Sequence, residues 1–332
     1  MIDGFLGIDV SKEKLDVRLL GVSNSYEAVF KNEVLSYEKL KRWVQKRVKG
    51  LVHACLESTG CYSFGPAVSL LEWCEVVSVE NPRRIKNFGI ALGVITKTDK
   101  VDARTIAEYC KRMTPKAWHL ASPESRELLL LVRRLSDLDT MRSMESNRLE
   151  DKHLPGSVKE SIKLCLESLR SHREGVWNAI KANLAPRTKL KAQIRTLALL
   201  PGMGELTAVR YMAFFGGPEN YERAEAVPAY CGLYPVLNQS GKFKGRSSMS
   251  HCGDPLVRGA FHMPALTASR CDPQMKEFRD RLQARGLNPM AAICACKRKL
   301  LMRCYGVLNA LEQGRELTGL NEKKRIKWDL TA

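Results

Sequence analysis

The sequence predicts an α/β domain, a long helical hairpin and a mainly α-helical domain, over residues 1–115, 116–186 and 187–332. Short apolar runs with turn residues between them fill the first part. A Gly-poor, charged stretch with apolar residues at helical intervals fills the second, and helical runs interrupted by glycine turns fill the third. A length of 332 residues suits about two cores rather than one.

Residues 4–10, 14–20 and 25–31 read as three strands of a meander, separated by Ser11-Lys12 and by Gly21 to Asn24. Tyr37 to Val48 has helical spacing at Leu40, Trp43, Val44 and Val48. Leu51 to Leu56 is a β-run, Phe64 to Trp73 is helical, and Glu75 to Val79 is a further buried strand. Three strands followed by alternating helix and strand is the order of a ribonuclease H-like α/β domain. The polar stretch Thr96 to Ala103 opens a helix running to about Arg112. Leu128, Leu131, Leu135, Leu138 and Met141, then Ile162, Leu166, Leu169, Val176 and Ile180, mark two helical arms that Pro155-Gly156 separates. Antiparallel coiled-coil arms join protomers or cross a partner, so the hairpin is read as an oligomerisation element; a plain hairpin within one domain is the simpler alternative. Pro201-Gly-Met-Gly204 sets a tight turn between two helical runs, a helix-hairpin-helix-like element. Gly216 to Gly253 is Gly-rich, helices follow from about Pro255 to Glu316, and Lys323 to Lys327 form a basic tail.

The chain carries 54 Lys and Arg against 36 Asp and Glu, a formal net charge of +18, with 44% hydrophobic residues. That apolar share excludes the composition of a disordered chain, and the charge asks for a polyanionic partner. The excess is uneven: residues 1–186 hold 30 basic and 24 acidic side chains, residues 187–332 hold 24 and 12. No run of membrane-spanning length and no secretion signal is found, so the expected place is cytoplasmic, with no membrane partner. Eleven cysteines without a CxxC pair fit reduced thiols; Cys294, Cys296 and Cys304 lack the knuckle spacing of a zinc site.

Asp9 lies on the first strand, on the face shared with Gly7, whose missing side chain is expected to leave space beside the carboxylate. Glu57 ends the fourth strand, which neighbours the first in this strand order. Asp99 and Asp102 stand three apart at a helix start and share a face. Four converging carboxylates raise one another's pKa unless a cation neutralises them. Two Mg²⁺ ions about 3.5–4 Å apart, with Mn²⁺ as a substitute, would resolve that and clamp the oxygens of a phosphodiester. Taken singly, Asp99 and Asp102 could merely cap and complement the helix dipole.

Gly7-Ile-Asp-Val-Ser-Lys12, Glu57-Ser-Thr-Gly60, Asn81-Pro-Arg-Arg84 and Lys97 to Ala103 resemble the RuvC-type DEDD domain of insertion-sequence transposases, the family of bridge-RNA-guided DNA recombinases. Leu200 to Gly204, Ala229 to Pro235, Gln239-Ser-Gly241, Ser250 to Gly253 and Arg258 resemble that family's second, transposase-type domain. The resemblance implies a metal-binding tetrad of Asp9, Glu57, Asp99 and Asp102, with Ser240 as nucleophile. It further implies a serine–DNA phosphodiester intermediate, donor and target DNA as substrates, a non-coding bridge RNA that pairs with both, a dimer that assembles into a synaptic tetramer, and a nucleoid-associated location. Sequence reading would then fall to base pairing.

On the residues alone, Ser240 sits in a Gly-rich loop whose Lys242, Lys244 and Arg246 supply cations for a phosphate. A serine hydroxyl needs a metal, a base or strong phosphate polarisation, and no base stands nearby in sequence. A phosphate-binding hydroxyl is the plainer reading. Gly202 and Gly204 could present backbone N–H groups to a phosphate, or form a simple turn, with Arg210 further along the same helix. Arg258 could meet a phosphate or the serine loop, or serve as an ordinary ion-pair partner. His251 stands where the family often has Lys, which makes a phosphate contact there pH-sensitive or absent. Three other activities stay open: a Holliday-junction-type metal nuclease, an ATP-binding domain of the actin and sugar-kinase type, and a catalytically dead nucleic-acid-binding module. Asp9-Val10-Ser11 lacks the following glycine that the ATP-binding group wants.

Overall fold

The computed structural model describes residues 2–94, 98–236, 239–240, 243–245, 248–250, 252–317 and 320. Two compact units divide the chain, residues 1–121 and 122–332.

The first unit is built on β1 (Ile2–Val10), β2 (Lys14–Leu20), β3 (Ser25–Lys31), β4 (Leu51–Glu57) and β5 (Val76–Glu80), in the sheet order β3-β2-β1-β4-β5. β1 to β3 pair antiparallel and β1, β4 and β5 pair parallel, so a meander feeds two crossovers. Alternation sorts the side chains onto two faces. Leu6, Ile8, Leu15, Val17, Ala54 and Leu56 pack with Leu40 and Val44 of α1 (Val34–Gln45) and Leu70 of α2 (Phe64–Leu70). Cys55 packs on the other face with Ile85 of α3 (Pro82–Ala91) and with Ile106, Tyr109 and Cys110 of α4 (Asp99–Met113). Helix α3 is an addition to the sequence reading. Asn81 caps it by accepting from Arg83 N at 2.9 Å, and Pro82 fits its first turn.

Gly7 corrects one expectation. A Cβ there would lie 2.3 Å from Ala107 N and 2.4 Å from Ala103 O, so the space beside Asp9 is filled by the backbone of α4. The glycine lets that helix lie directly on β1.

The second unit opens with α5 (Pro123–Arg148) and α6 (Gly156–Leu184), followed by α7 (Thr188–Ala198) and α8 (Glu205–Phe215). After them come α9 (Ala226–Tyr230), α10 (Pro255–Ala260), α11 (His262–Cys271), α12 (Pro273–Ala284) and α13 (Pro289–Glu312). Two short β-ladders lie between α9 and α10, Pro235–Val236 with Ser248–Met249 and Gln239–Ser240 with Phe243–Lys244. Leu128, Val132 and Leu135 of α5 and Ile180 and Leu184 of α6 belong to the same core as Tyr211, Phe215, Phe261 and Leu300. The expected boundary at 186/187 is therefore absent: the root of the hairpin is core of the second unit. Residues 116–121 group with the first unit, where Trp118 N donates to Val77 O at 2.7 Å and its ring stands edge-on to Phe64. Asp139 of α5 ties the helices together, accepting from Arg173 of α6 at 2.7 Å and Arg210 of α8 at 3.2 Å.

Candidate active site

The carboxylates meet where the two periodicities of the first unit intersect. Asp9 is the penultimate residue of β1, beside the end of β4, because the parallel register sets Ile8 against Leu56. Glu57 follows on β4 and pairs in turn with Glu80 of β5. Thr98 caps α4 by accepting from Val101 N at 3.4 Å, which fixes Asp99 and Asp102 in the first turn. Carboxylate oxygens of Asp9, Asp99 and Asp102 all lie within 4.8 Å of one another. Glu57 lies outside that tight set and lines the same cleft of about 500 Å³, together with Lys86, Thr105 and the apolar side chains of Ile85 and Ile90.

Burial is the main cause that lifts Asp9 to about 6, and the charges of Asp102, Asp99 and Asp16 add to it. Hard oxygen donors crowded to this degree fit a divalent cation of the Mg²⁺ or Mn²⁺ kind, which would remove the mutual repulsion. Asp9, Asp99 and Asp102 would hold it, with Glu57 within the same cleft.

Two further charged residues face this cluster. The antiparallel register sets Asp16 of β2 directly opposite Asp9, and Asp16 is buried. Lys14, two residues earlier on the same strand face, reaches Asp99 at 2.6 Å and Asp16 at 3.1 Å. The signal for both was present in the sequence, since a short turn after Asp9 returns the chain antiparallel and brings alternate residues of β2 onto its face.

In the second unit Ser240 is exposed and pairs in register with Phe243. Lys242, Arg246 and His251 lie outside the described residues, as do the side chain of Lys244 and the tail from Lys323 to Lys327. The base of this region is a chain crossing. A Cβ on Gly232 would stand 2.5 Å from Cys252 O, and one on Gly253 would stand 2.7 Å from Tyr230 O, so both positions exclude side chains. Arg258, expected at a phosphate, fastens this crossing: it donates to Gly253 O at 2.7 Å and Cys231 O at 3.2 Å. Buried Lys297 in turn donates to Arg258 O at 3.2 Å. Arg210 likewise faces Asp139 inside the protein, because α8 packs against α5.

Gly202 has φ +81, and a Cβ there would meet Pro264 O at 2.4 Å, so this glycine seats the turn on α11. Gly204 is exposed at the start of α8, with open space around its Cβ position; Glu205 places an acidic side chain in the same first turn.

Comparison with known proteins gives two successive family matches. A family described as Transposase, of the DEDD type of IS110, matches residues 6–156. The Transposase IS116/IS110/IS902 family matches residues 194–280. The chain is 27% identical over 310 residues to the pilin gene-inverting protein of Moraxella lacunata, covering 92% of this chain and 95% of that protein. Identity and coverage are the same for the pilin gene-inverting protein of Moraxella bovis, at 27% over 310 residues. An insertion element IS116 uncharacterized 44.8 kDa protein of Streptomyces clavuligerus is 25% identical over 201 residues, 58% of this chain and 49% of that protein. A DEDD domain implies an α/β fold of the ribonuclease H type and divalent metal use, and the five-stranded sheet and the acidic cleft agree with both. The successive matches, over most of the chain's length, are to the IS110 family of DEDD transposases and support an enzyme that cleaves and rejoins DNA.

Proposed function

We propose that the protein excises and inserts an insertion sequence by Mg²⁺-dependent strand cleavage and exchange through a serine–DNA phosphodiester. The carrying observation is the convergence of Asp9, Asp99 and Asp102 in one cleft with Glu57. A bound divalent cation supplies charge neutralisation and polarisation of a phosphodiester there. Asp9, Asp99 and Asp102 would hold the cation with Glu57 in the same cleft, and Lys86, which also lines it, would meet the anionic backbone.

Ser240 Oγ attacks a backbone phosphorus and releases its proton as the new Ser–O–P bond forms. The P–O bond to one sugar breaks, and the departing sugar oxygen takes up a proton. Attack by the hydroxyl of another strand end reverses these bond changes and frees the serine, so no bond energy is lost and no nucleotide cofactor is consumed. The exposure of Ser240 supports this reading. The name of the Moraxella relatives, pilin gene-inverting proteins, supports the coarser reading of a site-specific recombinase.

Recognition of donor and target DNA is assigned to a bridge RNA, and the working assembly to a synaptic tetramer built from dimers through the helical hairpin. Met141, Met144, Val158 and Leu164 expose apolar surface along α5 and α6, which supports the hairpin as an oligomerisation element. Lys242, Lys244 and Arg246 are proposed to hold nucleic acid beside Ser240, and Gly204 to offer backbone at the start of α8. Among the described residues no helix is long and apolar enough to cross a membrane.

The test is Ser240→Ala on a donor–target pair with the co-expressed flanking RNA. Loss of both recombination and the covalent protein–DNA species is expected. Undiminished cleavage without a covalent species favours the second reading, a Holliday-junction-type metal nuclease, which the acidic cleft alone would also serve.

A further inference from the structure

The acidic cleft carries its own positive charge. Lys14 Nζ stands 2.6 Å from Asp99 Oδ2 and 3.1 Å from Asp16 Oδ2, so it lies between a carboxylate of the cation-holding set and a buried carboxylate behind it. Its place is fixed from both sides. Ser11 Oγ accepts from Lys14 N at 3.1 Å and donates to Lys14 O at 2.9 Å, while Ser11 N donates to the same carbonyl at 3.0 Å. The turn between β1 and β2 is thereby closed around this residue. The register that sets Asp16 opposite Asp9 then directs Lys14 to the same side of the sheet, where α4 delivers Asp99.

We infer that Lys14 is a tethered counter-cation. It keeps Asp99 beside Asp9 and Asp102 when no divalent ion is bound, and it gives up Asp99 when one arrives. This rests on the reading of the carboxylates as a cation site and adds a function for a residue outside that set. Like charges within 4.8 Å would otherwise drive the first turn of α4 away from β1. An ammonium in contact with a ligand oxygen also competes with the incoming cation, so Lys14 both assembles the site and moderates its affinity. As a positioning residue it touches neither substrate nor the reacting atoms.

The two effects have opposite signs, which makes the test sharp. Mn²⁺ binding to the full chain is titrated by electron paramagnetic resonance, and melting is followed in EDTA and at saturating Mn²⁺, for wild type, Lys14→Met and Lys14→Arg. Lys14→Met should bind Mn²⁺ about two- to fivefold more tightly, the range of an exposed ion pair. It should melt a few degrees lower than wild type in EDTA, with the gap closing at saturating Mn²⁺. Lys14→Arg should stay near wild type in both. Unchanged or weaker Mn²⁺ binding by folded Lys14→Met overturns the inference while leaving the cation site standing. Absence of saturable Mn²⁺ binding by the wild type overturns the cation site and the inference with it. Should Lys14→Met be unfolded in EDTA, recovery of its fold by Mn²⁺ supports the inference; failure of both Lys14→Met and Lys14→Gln to fold at saturating Mn²⁺ overturns it.

Discussion

Asp9 shows how one residue couples the site to the stability of the fold. Its carboxyl is lifted from 3.8 to about 6, chiefly by burial. The folded chain therefore keeps a proton that the unfolded chain has released between about pH 4 and 6, and stability from this group falls as pH rises through that window. At pH 7.5 in EDTA, Asp9→Asn should raise the unfolding free energy by ~1–2 kcal/mol, discounted for partial exposure, while strand cleavage is lost. Urea titrations of both proteins at pH 4 and 7.5 check it: the gain should shrink at the lower pH. Gly7 makes the opposite prediction. Gly7→Ala drives a Cβ into the backbone of α4, with contacts of 2.3 and 2.4 Å, and should cost about 3 kcal/mol or more and scatter the carboxylates, seen as lowered urea midpoints together with lost Mn²⁺ binding.

At the scale of elements, the second unit hangs on a few charged fasteners. Asp139 joins α5, α6 and α8 through Arg173 and Arg210, and the Arg210 side chain is only 16% exposed. Asp139→Ala leaves that guanidinium buried without its carboxylate and should destabilise the unit by about 3 kcal/mol, measured as a drop in urea midpoint. The crossing of residues 230–232 with Cys252 and Gly253 explains the glycines there: backbone meets backbone at Gly232 and Gly253, and Arg258 donates to carbonyls on both sides. Sequence periodicity found the strands of the first unit to within about two residues at each end, since alternation there has one face on each core. It placed the start of α1 at Tyr37 rather than Val34, because Val34 and Leu35 are 77% exposed and add nothing to the apolar stripe. Helix α3 escaped it because the basic opening of that segment hides a stripe of few buried residues, Ile85 and Gly89 among them.

At the scale of the whole molecule, charge and architecture divide between the units. Residues 2–121 hold a complete five-stranded sheet with a core on each face, and expressed alone they should give a cooperative melt and mixed α/β circular dichroism. The basic excess beyond residue 186 should make DNA binding steeply salt-dependent, with log K falling by about 0.9 per neutralised phosphate; a flat response in a salt titration would contradict nucleic-acid binding by the chain. The sequence by itself determined the strand order, the placing of Asp9 and Glu57 at adjacent strand ends, and the shared face of Asp99 and Asp102. Local periodicity gives the elements and the shared face, and the likeness of their succession to a ribonuclease H-like domain gives the strand order. Only the tertiary structure decided that α4 lies on Gly7, that Lys14 and Asp16 face the carboxylates, and that Arg210 and Arg258 turn inward to a carboxylate and to carbonyls. Each of those depends on which polar group a distant segment brings within about 3 Å, and hydrogen bonds and ion pairs act only at that range.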